Sequence, residues 1–181
     1  QQRSAQISTV NPTTGAALRD VANALPAWLA HLPRWGAELS VVHGDCKPSQ
    51  FFLAEDANGA PQVALLDFDH CGIADPAADV GNFLATLRQT GVKYALKQRD
   101  AAAVASFQRW LAALEEEFLT AYLATRPCHA AFRQRVTWYQ AVALLRKALR
   151  SFSRSPRSPL PTLLAQAAGR ALATLPTPGA S

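Results

Sequence analysis

The chain has 181 residues, 49% of them hydrophobic and 17% charged, a composition that can bury one substantial core. No apolar run approaches the ~20 residues that a membrane-crossing helix needs, and no basic-then-apolar leader opens the chain, so no membrane partner is expected and a cytoplasmic location is the default. Three cysteines, Cys46, Cys71 and Cys128, are odd in number and lack CxxC spacing, which argues against a disulfide framework or a zinc site.

In chain order, residues 1–15 are polar, and Asn11-Pro12-Thr13-Thr14-Gly15 reads as turn material in a frayed lead-in. Leu18, Val21, Ala22, Leu25, Trp28 and Leu29 recur at three- and four-residue steps. They predict a helix kinked at Pro26, ending at His31-Leu32-Pro33 and packing beneath the loop that follows. His31 reads as a surface histidine. Next comes Leu39-Ser40-Val41-Val42, a strand-like run that delivers the chain into His43-Gly44-Asp45-Cys46-Lys47-Pro48-Ser49-Gln50. Phe51-Phe52-Leu53 and Val63-Ala64-Leu65-Leu66 have strand composition, and Asp56-Ala57-Asn58-Gly59 between them tolerates positive φ, so a β-hairpin is predicted. Asp67 ends its second strand. The hairpin therefore brings Asp45 and Asp67 toward one rim, where carboxylates repel unless a cation or a shared proton lies between them.

Beyond the hairpin the pattern turns helical. Asp75-Pro76 suits a helix start, with Phe83, Leu84 and Leu87 leading to an end at Gly91. Asp100 can cap a second helix carrying Val104, Phe107, Leu111, Leu114, Phe118 and Tyr122, stopped before Pro127. Its Glu115-Glu116-Glu117 run reads as a solvated face. A third helix turns Phe132, Val136, Tyr139, Val142, Leu145, Leu149 and Phe152 inward, with Arg146, Lys147, Arg150 and Arg154 on another face. Ser151–Pro161 reads as a loop and 162–175 as a last helix, with no internal repeat. Charge is uneven: all 13 acidic residues lie at or before Glu117, so the net +5 is about −4 up to that point and +9 beyond it. The basic half reads either as an anion-attracting surface or as a solvated helix face. Nucleic acid is not the expected partner, because aromatic residues are not interleaved with the arginines as a stacking platform requires.

His43-x-Asp45-x-Lys47-Pro48, followed by a hairpin ending in Asp67-Phe68, resembles the catalytic and metal loops of protein-kinase-like enzymes. Gly44 and the tail Gly72-Ile73-Ala74-Asp75-Pro76-Ala77-Ala78-Asp79 narrow the resemblance to the aminoglycoside phosphotransferase and choline kinase family. It covers about 40 residues closely. The implied fold is a mostly helical α+β carboxy-terminal lobe of the protein-kinase-like fold, one domain over 1–181, with a catalytic region at 39–83 and a helical tail at 84–177. The residues before His43 hold no glycine-rich Gly-x-Gly-x-x-Gly loop, so an amino-terminal nucleotide lobe is expected from a longer chain.

The resemblance implies ATP-dependent transfer of the γ-phosphate to the hydroxyl of a small molecule, with Mg2+ and ATP as cofactors. Asp45 would orient the acceptor hydroxyl and accept its proton. Lys47 would contact the transferred phosphate, and His43 would brace the loop of this catalytic set by hydrogen bonding. Asp67 matches the chief Mg2+ ligand and nucleotide contact. Gln50 stands where the family has Asn; it keeps the carbonyl oxygen but adds a methylene, so its ligation of metal and nucleotide is direct or through water. Asp79 resembles the helix carboxylate that accepts N–H bonds from the catalytic loop, and the role of Asp69 is open. A catalytically inactive binding module is the alternative, raised by Gln50 and the missing lobe. The last 64 residues hold no carboxylate, which predicts a neutral or anionic acceptor rather than a polycationic aminoglycoside.

Overall fold

The computed structural model describes residues 7–32, 39–125 and 131–176; Cys128, Pro33 and Pro127 lie outside them. Helix α1 (Pro12–His31) begins where a lead-in turn was expected. The Asn11 side chain accepts a hydrogen bond from Thr14 N at 3.0 Å and Pro12 takes the first helical position, so the same residues that favour a turn make a helix cap here. The helix runs on through Pro26, and His31 is exposed.

Four short strands form two separate antiparallel ribbons. Strands β2 (Phe51–Glu55) and β3 (Pro61–Leu65) make the predicted hairpin, registered Phe51 to Leu65 and Glu55 to Pro61. Asp56 closes its turn by accepting from Asn58 N at 2.8 Å and Ala60 N at 2.9 Å. The second ribbon pairs β1 (Ser40–Val42) with β4 (Gly72–Ala74), joining the entry to the loop that begins at His43 with the start of the next helix.

The helices that follow are α2 (Ala77–Lys97), α3 (Ala101–Thr125), α4 (Phe132–Arg154) and α5 (Leu160–Ala173). Helix α2 does not stop at Gly91. A glycine there serves close packing instead of a helix end: a Cβ would come within 2.9 Å of Leu111 Cδ1 on α3. Asp100 caps α3 as expected, accepting from Ala102 N at 2.8 Å. The expected loop from Ser151 to Pro161 shrinks to 155–159, because Pro161 falls in the first turn of α5, where its missing N–H costs nothing.

Helix α4 is sandwiched, so a second buried face joins the inward face expected of it. On one side Ala141, Leu144 and Ala148 pack with Leu18, Val21 and Leu25 of α1 and with Leu164, Ala168 and Leu172 of α5. On the other, Phe132 and Val136 meet Val80, Leu84 and Leu87 of α2 and Leu111 and Leu119 of α3. Tyr139, Val142, Leu145, Leu149 and Phe152 are only partly buried. Helix α1 accordingly lies against α5 and α4 rather than beneath the loop that begins at His43, with Trp138 Nε1 donating to Leu25 O at 3.0 Å.

A helix covered on two faces also buries polar residues. Arg135 on α4 and Asp75 at the entry to α2 are 3% and 2% exposed and form an ion pair at 2.9 Å. The other oxygen of Asp75 accepts from Ala77 N at 3.0 Å. The predicted solvated acidic face on α3 is split: Glu116 and Glu117 are exposed, whereas Glu115 is buried and bound to Arg88. No helix among the described residues is long and apolar enough to cross a membrane.

Candidate active site

Strand β1 ends at Val42, and the next residues are held from behind by the first turn and a half of α2. The Asp79 carboxylate takes two backbone donors, His43 N at 2.5 Å and Gly44 N at 2.9 Å. One turn further on, Asn82 Nδ2 donates to Cys46 O at 2.8 Å. The backbone is thus fixed on both sides of Asp45. Gly44 has φ +80° and lies so close to the His70 carbonyl that a Cβ would collide with it, so only glycine fits.

His43 is buried and braces the loop. Its Nε2 lies 2.7 Å from Leu66 O, and its Nδ1 lies 3.3 Å from the Asp45 amide. A carbonyl accepts and an amide N–H donates, so this pair of bonds selects the tautomer protonated at Nε2. Its ring also leans on Phe68, centroids 5.1 Å apart.

The Asp45 side chain is part-exposed and ion-paired with Lys47. Burial pushes its carboxyl up, but the hydrogen bond and charge of Lys47, with His70 and Lys147 behind it, outweigh that and hold the group below its ordinary value. Asp45 is therefore a carboxylate at neutral pH. Burial, with the charges of Asp79 and Asp45, pushes the neighbouring Cys46 thiol up to about 12, which makes it inert.

Gln50 closes a 3-10 turn (Pro48–Gln50) and is buried. Its carbonyl accepts from Leu66 N at 2.9 Å, and its side-chain Nε2 donates to Asp67 Oδ2 at 2.7 Å. Gln50 thus presents its amide nitrogen to the carboxylate it was expected to assist as a co-ligand. Asp67 itself has φ +65°, a left-handed conformation unusual outside glycine, and its side chain is exposed. The loops bearing Asp45 and Asp67 are tied together through His43–Leu66 and Gln50–Asp67, with no hydrogen bond between the two carboxylates. Among the described residues no group of three or more His, Cys, Asp or Glu side chains could cage a metal ion. One exposed carboxylate suits Mg2+, which keeps waters and is shared with phosphate oxygens rather than enclosed by protein.

Residues beyond the expected set also reach this rim. Lys147 on α4, expected on a solvated face, is half-buried and donates to Thr86 Oγ1 at 2.9 Å; Thr86 in turn donates to Asn82 O at 2.9 Å. That chain places the ammonium one turn of α2 away from the Asn82 clamp. Burial first, then Arg150 with Lys47 and Lys93, lowers its pKa, while Asp45 acts the other way. Apolar spacing alone could not single out Lys147, because Arg146 and Arg150 carry the same pattern. His70, in the turn after Asp69, had no sequence signal beyond its nearness to Asp67.

No curated protein and no solved structure matches the chain. A family model described as the phosphotransferase enzyme family matches residues 3–131, a span that holds the clamped loop, the hairpin, Asp67 and all of α2. With well over half its length matched, and with the carboxylate clamp of Asp79 in place behind Asp45, the chain belongs to the phosphotransferase enzyme family.

Proposed function

We propose that these residues carry the transfer centre of a kinase-like enzyme that moves the γ-phosphate of ATP to the hydroxyl of a small neutral or anionic molecule. The observation that supports it best is the fixing of an ionised Asp45 by Asp79, Asn82 and His43, on a loop tied through His43 and Gln50 to the Asp67 turn. Phosphoryl transfer asks mainly for positioning and charge neutralisation, and a backbone held at residues 43, 44 and 46 supplies the first.

Asp45 orients the acceptor O–H and takes its proton as the new O–P bond forms and the bond to the departing diphosphate breaks. Lys47 offers its ammonium to the oxygens of the phosphoryl group in transit. Asp67, oriented by Gln50, would hold Mg2+, which neutralises phosphate charge when bound. On the acceptor side, Lys147 stands with Lys93 and Arg150 in electrostatic reach, and the chain from Phe118 onward has no carboxylate. A polycation is repelled there and an anionic or neutral hydroxyl compound is tolerated. The nucleotide-covering lobe implied by the resemblance is part of this reading.

The test uses the longest natural reading frame containing these residues, with ATP, Mg2+ and a panel of hydroxylated carboxylates, phosphate esters, neutral sugars and kanamycin. Turnover is expected with a neutral or anionic compound. Asp45→Asn should lower kcat by roughly 10²–10⁴-fold with nucleotide affinity retained, the usual worth of a positioned base. Efficient phosphorylation of kanamycin, or full activity of Asp45→Asn, would overturn the reading.

A further inference from the structure

A cavity of about 520 Å³ opens between α3 and α5, floored by α2 and α4. Small-molecule sites commonly measure ~300–1,000 Å³. It is separate from the rim around Asp45. Asp79, Asn82 and Thr86 face the catalytic loop, whereas Leu84, Arg88 and Gly91, which line the cavity, fall on the opposite side of α2 at 3.6 residues per turn.

Glu115 sets its chemistry. The residue is 6% exposed, and Oε2 is held by Arg88 Nη2 at 2.7 Å. Its Oε1 is the one buried side-chain N or O atom among the described residues without a hydrogen-bond partner. Native structures rarely leave such an atom unpaired, and a buried carboxylate oxygen is among the costliest to leave so. Glu116 lines the cavity next to it, only loosely engaged by Arg133 at 3.4 Å. Arg88 has an exposed side chain, so water weakens its compensation of Glu115. Burial still holds the Glu115 carboxyl above its ordinary value against the pull of Arg88. Arg88 holds only Oε2, and Arg170, which also lines the cavity, does not engage Oε1, so a charged donor gains more at that atom than a hydroxyl does.

We propose that the cavity between α3 and α5 is a second ligand site, which takes a small molecule bearing a primary ammonium group, donated to Glu115 Oε1. The site stands apart from the transfer chemistry, so its test does not depend on turnover.

The folded chain is titrated with ethanolammonium chloride and, separately, with ethylene glycol, while backbone amide resonances of α2, α3 and α5 are followed by NMR. Ethanolammonium should give saturable shifts around Arg88, Glu115 and Arg170, and ethylene glycol none. Glu115→Gln preserves shape and the Arg88 bond but turns a donor toward the ligand, so it should weaken binding by at least about tenfold, the worth of one charge-assisted hydrogen bond. Ala171→Leu, which adds bulk to the cavity lining from α5 and keeps the Glu115 side chain, should abolish the shifts and keeps the test decisive where Glu115→Gln fails to fold. Asp45→Ala should leave them unchanged. Saturable binding of ethylene glycol, equal affinity in Glu115→Gln, or no response to either probe, as a lone water on Oε1 would give, overturns the proposal.

Discussion

Removing the carboxylate of Asp79 should loosen the loop around Asp45 more than any other single change in α2. In Asp79→Ala the His43 and Gly44 amides lose acceptors at 2.5 and 2.9 Å. A hydrogen bond to a charged group contributes about 1.5–3 kcal/mol. His43 is buried, so its amide pays close to the full loss, whereas Gly44 is exposed and water replaces part of its bond. The sum is roughly 2–3 kcal/mol, which in a chain of this size lowers Tm by about 4–12 °C if the loop unfolds with the whole. If it opens by itself, Tm stays and the amides of residues 43–45 exchange faster by about 30-fold or more. Thermal unfolding and amide exchange, measured together, separate the two routes. A variant that matches the parent in both would refute the clamp, and with it the argument that Asp45 is positioned by α2.

Asp75→Ala should cost at least about 1.5–3 kcal/mol, because it removes the buried carboxylate that accepts from Arg135 Nε at 2.9 Å; denaturant unfolding checks it, and Asp75→Ala with Arg135→Met should cost less than the sum of the two single changes. A thiol reagent applied to the native chain should label exposed Cys71 and spare Cys46, whose thiol sits near 12; equal labelling rates would contradict the burial described. Glu115 has a raised folded pKa, so its contribution to stability is present below 4.5, its unfolded value, and is lost as pH rises through the folded one. Relative to Glu115→Gln, the parent should therefore lose stability on going from pH 4.5 upward; a constant difference across that range would count against a buried carboxylate.

The parts of the fold legible in the sequence are those fixed locally. The β2–β3 hairpin follows from Asp56 to Gly59, whose turn chemistry is complete within a few residues. The family motif singled out Asp79 and His43; in the structure Asp79 accepts from His43 N and Gly44 N, and the His43 ring lies 2.7 Å from Leu66 O. What stayed hidden depends on which helices meet. Glu115 and Lys147 each lie in a run of like charges, and only the packing of α2 against α3 and α4 sets them apart from their exposed neighbours. Arg135 is buried because α4 is covered on two faces, a fact that apolar spacing on one face does not reveal. Asn11-Pro12 fits a turn and a helix start equally, and the burial of Thr14 and Gly15 against neighbouring residues decides between them.

In the proposed function Asp67, steadied by Gln50, would hold the cation through which nucleotide binds. Calorimetry of ATP binding with and without Mg2+, on the natural reading frame and on its Asp67→Ala variant, tests it most directly. Mg2+ should tighten ATP binding in the parent and Asp67→Ala should abolish this effect, since the amide of Gln50 is neutral and cannot hold a hard cation by itself. Metal-dependent ATP affinity unchanged in Asp67→Ala would contradict it.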